Sequence, residues 1–228
     1  MKLSIIIPVL NENDVLELNL KKLQWVRQLG HEVIVVDGGS QDKNAILAKP
    51  LADQVLSSLL GRALQMNMGA SSATGDVFLF LHIDTFLPAD GIAAIIKNIS
   101  QKDFYWGRFD VQLSGQNITF RVIERMMNWR SRLTSIATGD QAIFISRNIF
   151  EKIGGFPNMP LMEDVEISHQ LKKITKPICL SQKVVTSSRR WEQRGIFNTM
   201  RLMWRLRFAY WLGSDPDNLA RQYRSSHQ

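Results

Sequence analysis

Apolar positions along the first hundred residues alternate between two patterns. Leu3–Val9 is a short, almost continuous apolar run of the kind that forms a strand covered on both faces, and Val15, Leu16, Leu20, Leu23 and Val26 follow at the spacing of an amphipathic helix. The cycle then repeats: a strand at 32–36 ending in Asp37-Gly38-Gly39-Ser40, a helix at 42–52, a strand at Gln54–Ser57, a helix at 62–73 and a strand at 77–81. Strands that alternate with helices predict an α/β fold with a mainly parallel central sheet. The second half is less regular, with a strand at 104–113, a helix at 118–132, a strand at 141–146 and a helix at 165–174 opened by Glu163 and Asp164. After Pro177 the pattern predicts a short strand pair and then a long helix over 195–212. No period of 20–50 residues recurs, which predicts one domain over 1–190 followed by a helical C-terminal extension over 191–228.

Ligands of open α/β sheets bind beyond the carboxyl ends of the strands, so the residues just past each run carry the candidate chemistry. These are Asn11 and Glu12 after the first strand, Asp37, Gly38 and Asp42 after the second, and His82 and Asp84 after the fourth. Each acid taken alone is a natural helix cap or turn former. Taken together on one edge they crowd negative charge, which calls for a cation or a polar ligand. Strand alternation would put His82 and Asp84 on one face, and Asp84 suits Mg²⁺ or Mn²⁺, ions that take one or two carboxylates and complete their shell with substrate phosphates.

Composition narrows the classes. With 228 residues, 45% hydrophobic and 21% charged, the chain can bury a full core, and its single cysteine, Cys179, suits a reducing, cytoplasmic compartment. No run approaches the roughly 20 apolar residues of a spanning helix, and the first apolar run meets Asn11, Glu12 and Asp14 too soon for a signal peptide. The net charge is +7, and residues 180–228 supply most of it, with nine Lys and Arg against three acids. That excess points to phosphate, nucleic acid or lipid headgroups near the C-terminal end. The sequence lacks a Gly-x-Gly-x-x-Gly fingerprint, a phosphate-loop motif, His-Glu-x-x-His and Gly-x-Ser-x-Gly, which disfavours dinucleotide, P-loop, zincin and serine-hydrolase chemistry.

Five segments then occur in a telling order: Ile5-Ile6-Ile7-Pro8-Val9-Leu10-Asn11-Glu12, Val35-Val36-Asp37-Gly38-Gly39-Ser40-x-Asp42, Gly61-Arg62-Ala63-x-Gln65-Met66-Asn67-x-Gly69-Ala70, Phe80-Leu81-His82-Ile83-Asp84-Thr85 and Met162-Glu163-Asp164. This series resembles the family 2 glycosyltransferases of the A-type, Rossmann-like fold, and most of all a small bacterial subfamily associated with radical-SAM and selenodomain genes. The resemblance implies a donor half at about 1–100 and an acceptor half at about 101–190. It implies transfer of a sugar from a nucleotide diphosphate sugar to a small or lipid-linked hydroxyl, with inversion and a divalent Mn²⁺ or Mg²⁺, and no nucleic acid as partner. In such enzymes the acids matching Glu12 and Asp37 hold base and ribose, Pro8, Asn11 and Gly38 shape the turns, and Asp42 supports the loop. The segment with Arg62, Gln65 and Asn67 completes the nucleotide pocket; a helix start with an arginine is a natural diphosphate partner, although Arg62 also reads as an ordinary solvated helix residue.

Asp84 matches the last acid of the family's metal motif, with His82 in place of the first. Asp164 matches the general base, with Glu163 beside it. Gly139-Asp140-Gln141 falls where the family lines the acceptor pocket, or is simply a turn. Arg190-Trp191 is similar to part of the signature of polymerising relatives, but Ser187 stands where their glutamine would be, so processive synthesis is not expected. Arg189 or Arg190 meets the leaving diphosphate in this reading, or forms a solvated basic turn. A nucleotidyltransferase is a second class, without its Gly-rich basic loop here, and a silent nucleotide-sugar or lipid-binding module is a third, since His82 breaks the metal motif. Finally, Phe197, Met200, Trp204, Phe208 and Trp211 form one stripe of the last long helix with Arg194, Arg201 and Arg205 along its flank. Such a stripe either lies on an anionic membrane, at the inner face of the cell membrane, or packs on the domain or on a second copy as a homodimer.

Overall fold

Because successive side chains of a strand point to opposite faces, apolar residues at every position of the early strands require cover on both sides of the sheet. The computed structural model describes residues 1–42, 44–99 and 104–225, without the side chains of Arg190, Arg224 and Ser225. Its first part runs β1 (Leu3–Val9), α1 (Asn13–Lys22), α2 (Gln24–Gln28), β2 (Glu32–Asp37), α3 (Asn44–Ala48), β3 (Gln54–Ser57), α4 (Arg62–Ser72), β4 (Val77–Phe80), β5 (Thr85–Phe86) and α5 (Gly91–Ile99). The second part runs β6 (Trp106–Leu113), α6 (Ile118–Thr134), a 3₁₀ turn (Gly139–Gln141), β7 (Ile143–Ser146), α7 (Arg147–Ile153), α8 (Glu163–Leu171), β8 (Ile178–Thr186), α9 (Arg189–Arg194), α10 (Ile196–Trp211) and α11 (Pro216–Ser225).

The strands form one mixed sheet in the order β3-β2-β1-β4-β7-β6-β8-β5. β1, β2, β3 and β4 are mutually parallel neighbours, β6 and β8 are parallel, and β7 runs antiparallel to both β4 and β6. Ile5, Ile7, Val33, Val35, Val77 and Leu79 face a core completed by Leu16, Leu20 and Ile95, whereas Ile6, Ile34, Val36, Phe78 and Phe80 face one completed by Met66, Phe150 and Ile167. The parallel half therefore delivers the loops after β1, β2 and β4 to one edge.

Several elements differ from their expected form. The helix expected from Val15 to Val26 breaks at Leu23 into α1 and α2, and the one expected at 42–52 shortens to α3, with Lys43 outside the described residues. The strand pair expected after Pro177 is one nine-residue strand, β8, which carries two extra residues, Ser181 and Gln182, opposite the β6 step from Phe109 to Asp110. β5, α5, α7, α9 and α11 add to the expected set; α9 is a polar run with no apolar period to announce it. The C-terminal stripe does not pack on the domain. Trp204 is 63% exposed and Trp211 75% exposed, while the opposite face of α10 seats Leu202, Leu206 and Tyr210 against Ile136, Met162, Val165 and Leu219. Tyr210 Oη also donates to Glu166 Oε2 at 2.8 Å, fastening α10 to α8.

Gly69 of the α4 segment has a steric reason to be small: a Cβ there would lie 2.5 Å from Ile6 Cγ2 and 3.1 Å from Val36 Cγ2. Both contacts are short side chains on packed strands, so Gly69→Ala must push α4 off the sheet. Overpacking of this kind costs about 1–3 kcal/mol, and the expected result is a lower urea midpoint at unchanged slope. A midpoint equal to that of the parent would show that α4 can relax outward at no cost.

Candidate active site

The loops at the carboxyl edge are knitted together by short polar side chains. Asn11 adopts φ 54°, a left-handed conformation that asparagine tolerates, and turns the chain after β1. Its Oδ1 accepts from Gln41 N at 3.0 Å and its N donates to Ser40 Oγ at 2.9 Å, which couples the first loop to the second. Asp37 accepts from Ser40 N at 3.0 Å and from the Ser40 hydroxyl. Asp42 accepts from Asn44 N at 3.1 Å and from Asn13 N at 3.3 Å. Gln65 Nε2 donates to a carbonyl near the end of each neighbouring strand, Val9 O at 2.8 Å and Val36 O at 2.9 Å. Gly38 leaves it the room, because a Cβ there would stand 2.9 Å from the Gln65 amide carbon. Asn67 pairs both ways with the Phe156 backbone, at 2.8 and 2.9 Å. None of Asn11, Asp37, Gly38, Asp42, Gln65 and Asn67 lines the adjoining cavity, and where direct ligand contact was expected of Gln65 and Asn67 the structure shows side chains spent on backbone.

What those loops frame is a polar cavity of about 350 Å³. Pro8, Glu12, Arg62, His82, Asp84, Asp140 and Trp191 line it, so residues from the end of β1 to α9 meet around one hollow. Ser187, Arg189, Gln193 and Arg194 close the far side. Gln193 was not expected there, and Arg194 only as part of the α10 flank; both come from α9, whose basic composition was the signal available. The side chain of Arg190 lies outside the described residues.

The pairing of His82 with Asp84 needs correction. β4 ends at Phe80 and Thr85 N donates to His82 O at 3.0 Å, so 82–85 is a turn and strand alternation no longer applies. His82 Nδ1 stands 3.4 Å from Asp140 Oδ1, and its Nε2 lies where a Cβ on Gly139 would be, 2.4 Å away. Gly139 thus lets the 139–141 turn close on the imidazole, which stands against Asp140, while His82 and Asp84 both line the cleft. Among the described residues no group of three or more His, Cys, Asp or Glu could hold an ion unaided. Asp84 on the cavity wall fits the other kind of Mg²⁺ or Mn²⁺ site, in which a carboxylate and substrate phosphates share the ion.

Beneath this cavity a narrow recess joins Pro8, Arg62 and His82 to Gly139, Glu163 and Asp164. Met162, at φ 71°, swings the chain into α8 so that both acids occupy its first turn. Glu163 is buried, and burial together with the adjacent Asp164 carboxylate pushes its pKa up, while Arg62 at 3.8 Å pulls the other way. Asp164 is half-buried; its Oδ2 accepts from Gly139 N at 2.9 Å and its Oδ1 from Val165 N at 2.7 Å. Arg62 at the start of α4 therefore stands between the donor-side wall and the paired acids of α8.

The chain is similar to several known glycosyltransferases. Dolichol-phosphate mannosyltransferase of Pyrococcus furiosus is 25% identical over 194 residues, covering 80% of this chain and 53% of that protein. An undecaprenyl-phosphate 4-deoxy-4-formamido-L-arabinose transferase of Photorhabdus laumondii is 32% identical over 111 residues, 44% of this chain and 34% of that protein. The chain thus spans about half or less of the length of these curated relatives. The mannosyltransferase PcManGT of Pyrobaculum calidifontis, solved with GDP-Man and Mn²⁺, superposes with a TM-score of 0.65 at 20% identity, covering 99% of this chain and 69% of that one, which establishes the A-type fold. With residues 4–154, more than half of its length, matching the profile of Glycosyl transferase family 2, the chain belongs to that family.

Proposed function

We propose that the protein transfers a sugar from a nucleoside diphosphate sugar to an acceptor oxygen, with inversion, in a non-processive and divalent-metal-dependent reaction. Its motif series resembles that of the subfamily associated with radical-SAM and selenodomain genes, and we place the protein there. One observation carries the reading: Arg62 bridges a cleft lined by Glu12 and Asp84 to the Glu163–Asp164 pair that opens α8. A diphosphate in the cleft would lie between Arg62 and Arg189, whose guanidinium forks match phosphate oxygens. Asp84 would hold Mn²⁺ or Mg²⁺, which supplies positive charge to the departing diphosphate. Asp164 takes the acceptor proton as the oxygen attacks the anomeric carbon from the side opposite the leaving group, and the Gly139 N–H keeps its carboxylate aimed. Glu163, buried against Arg62, holds that cation in place and does not exchange protons with the acceptor.

The exposed aromatic stripe of α10, with Arg201 and Arg205 also exposed beside it, supports a peripheral seat on an anionic membrane surface. No helix among the described residues is long and apolar enough to cross a membrane.

Three outcomes are expected. Asp164→Asn keeps much of the side chain's size and hydrogen bonding but cannot accept the proton, so it should melt like the parent, bind nucleotide and lose at least ~10²-fold in transfer rate, with Glu163→Gln less affected. A fully active Asp164→Asn enzyme rejects the assignment, and a Glu163→Gln variant that alone is dead moves the base one residue upstream. By titration calorimetry, UDP or GDP should bind more tightly with Mn²⁺ or Mg²⁺ than with EDTA, and Asp84→Asn should erase the difference; equal affinities in the parent would end the metal reading. In flotation with phosphatidylglycerol vesicles, binding should weaken with salt and vanish in Trp204→Glu/Trp211→Glu, whereas a salt-insensitive dimer that ignores vesicles would assign the stripe to self-association.

A further inference from the structure

A line of buried polar side chains leads from the sheet to the turn that touches Asp164. β7 pairs with β6 at Trp106 and Gly107, so at Val111 and Leu113 that edge of β6 lies past the end of β7. Side chains of α6 take its place there. Glu124 Oε1 accepts from Leu113 N at 2.6 Å, and Asn128 pairs both ways with Val111, its Oδ1 accepting from N at 2.8 Å and its Nδ2 donating to O at 3.0 Å. Those two backbone groups fix which end of the Asn128 amide is oxygen. The same Oδ1 then accepts a second bond, from Gln141 Nε2 at 3.4 Å.

Gln141 is wholly buried, and its other end is just as strictly set: Oε1 accepts from Thr138 N at 3.2 Å and from Thr138 Oγ1 at 3.5 Å. A side chain that must donate to Asn128 and accept from Thr138 has to be an amide, and glutamate of the same shape lacks the donor. The 3₁₀ turn closed in this way carries Gly139 N to Asp164 Oδ2 at 2.9 Å and sets Asp140 against His82. Ala142 follows it in a left-handed conformation, at φ 49° and fully buried. A residue with a Cβ takes that conformation at a cost and keeps it where its surroundings impose it. Ser168, one turn of α8 beyond Asp164, braces the start of the segment, its Oγ accepting from Ala137 N at 3.1 Å and donating to Asp164 O at 2.7 Å.

We infer that Gln141, through its bond to Asn128, is a positioning residue for the transfer: it ties the turn that carries Gly139 and Asp140 to β6, and so fixes the direction of the N–H that aims the Asp164 carboxylate. The inference rests on the reading of Asp164 as the base. Gln141 lines neither the cleft nor the recess beneath it, so its effect passes through the turn and not through contact with a substrate. Without the tie, Ser168 still holds Ala137, but Gly139 is free to swing away from Asp164. A displacement of about 1 Å at a reacting group costs on the order of 10²-fold in rate, so a buried amide several residues from the chemistry has leverage over it.

Two variants separate the tie from the packing. Gln141→Met keeps the length of the side chain and removes its hydrogen bonds, whereas Gln141→Glu keeps both bonds from Thr138 and removes the donation to Asn128. Each should lower kcat by about 10-fold or more, while calorimetry finds the affinity for UDP with Mn²⁺ within about 2-fold of the parent. In an Asp164→Asn background the same substitutions should change the residual transfer rate by less than about 2-fold, because the group they orient is gone. UDP binding also reports folding, so if one variant misfolds the other carries the test. An unchanged kcat in Gln141→Glu, a fall in UDP affinity that matches the fall in kcat, or a loss that multiplies undiminished with Asp164→Asn would overturn the inference. A fully active Asp164→Asn enzyme would instead overturn the base reading on which it rests.

Discussion

A carboxylate buried at the start of a helix must find a cation or give up its charge, and in this protein Glu163 finds Arg62. The two residues are 101 positions apart and belong to different halves of the sheet, so their pairing is a statement about how the halves meet. Arg62 begins the helix behind the parallel strands; Glu163 begins the helix behind the antiparallel ones. With Asp164 next to Glu163, the same turn holds one acid committed to the structure and one that remains partly open. The arrangement puts two adjacent carboxylates in different environments, one buried beside a guanidinium and one half-open.

The second organising feature is the change of strand direction between β4 and β7. Parallel β1, β2 and β4 carry their following loops to one edge, where the small hydrogen-bonding residues tie loop to loop and leave a polar hollow. β7 enters the same sheet from the opposite direction, so the 3₁₀ turn that precedes it arrives at that hollow from the far side and brings Gly139 and Asp140 against His82. The position of the cleft therefore follows from the topology, and its chemistry from the residues that topology delivers.

A polar and an apolar hollow meet at Asp140 and Trp191. On one side stand Glu12, Asp84, Arg62 and Arg189; on the other, methionine and tryptophan walls with Arg130 and Arg207. α10 makes one wall of this second surface and α6 the other, and the C-terminal helices lie outside the sheet. They are held by a separate small core around Leu206 and Leu219 and by the Tyr210–Glu166 hydrogen bond, which frees the aromatic face of α10 to point outward.

The sequence by itself determined the early strands and helices, the edge at which the polar residues collect and the family to which the motifs belong, because strand alternation, helical spacing and turn chemistry are local properties of the chain. β1 and β3 match their expected bounds for that reason. It also marked Glu163 and Asp164, but not which of them would be buried. That division, the turning of His82 to Asp140, the spending of Gln65 and Asn67 on backbone and the outward face of α10 were decided only by tertiary structure. Each depends on what a side chain meets across tens of residues, and a stripe of aromatic residues at helical spacing looks the same whether its partner is a core, a second chain or a lipid.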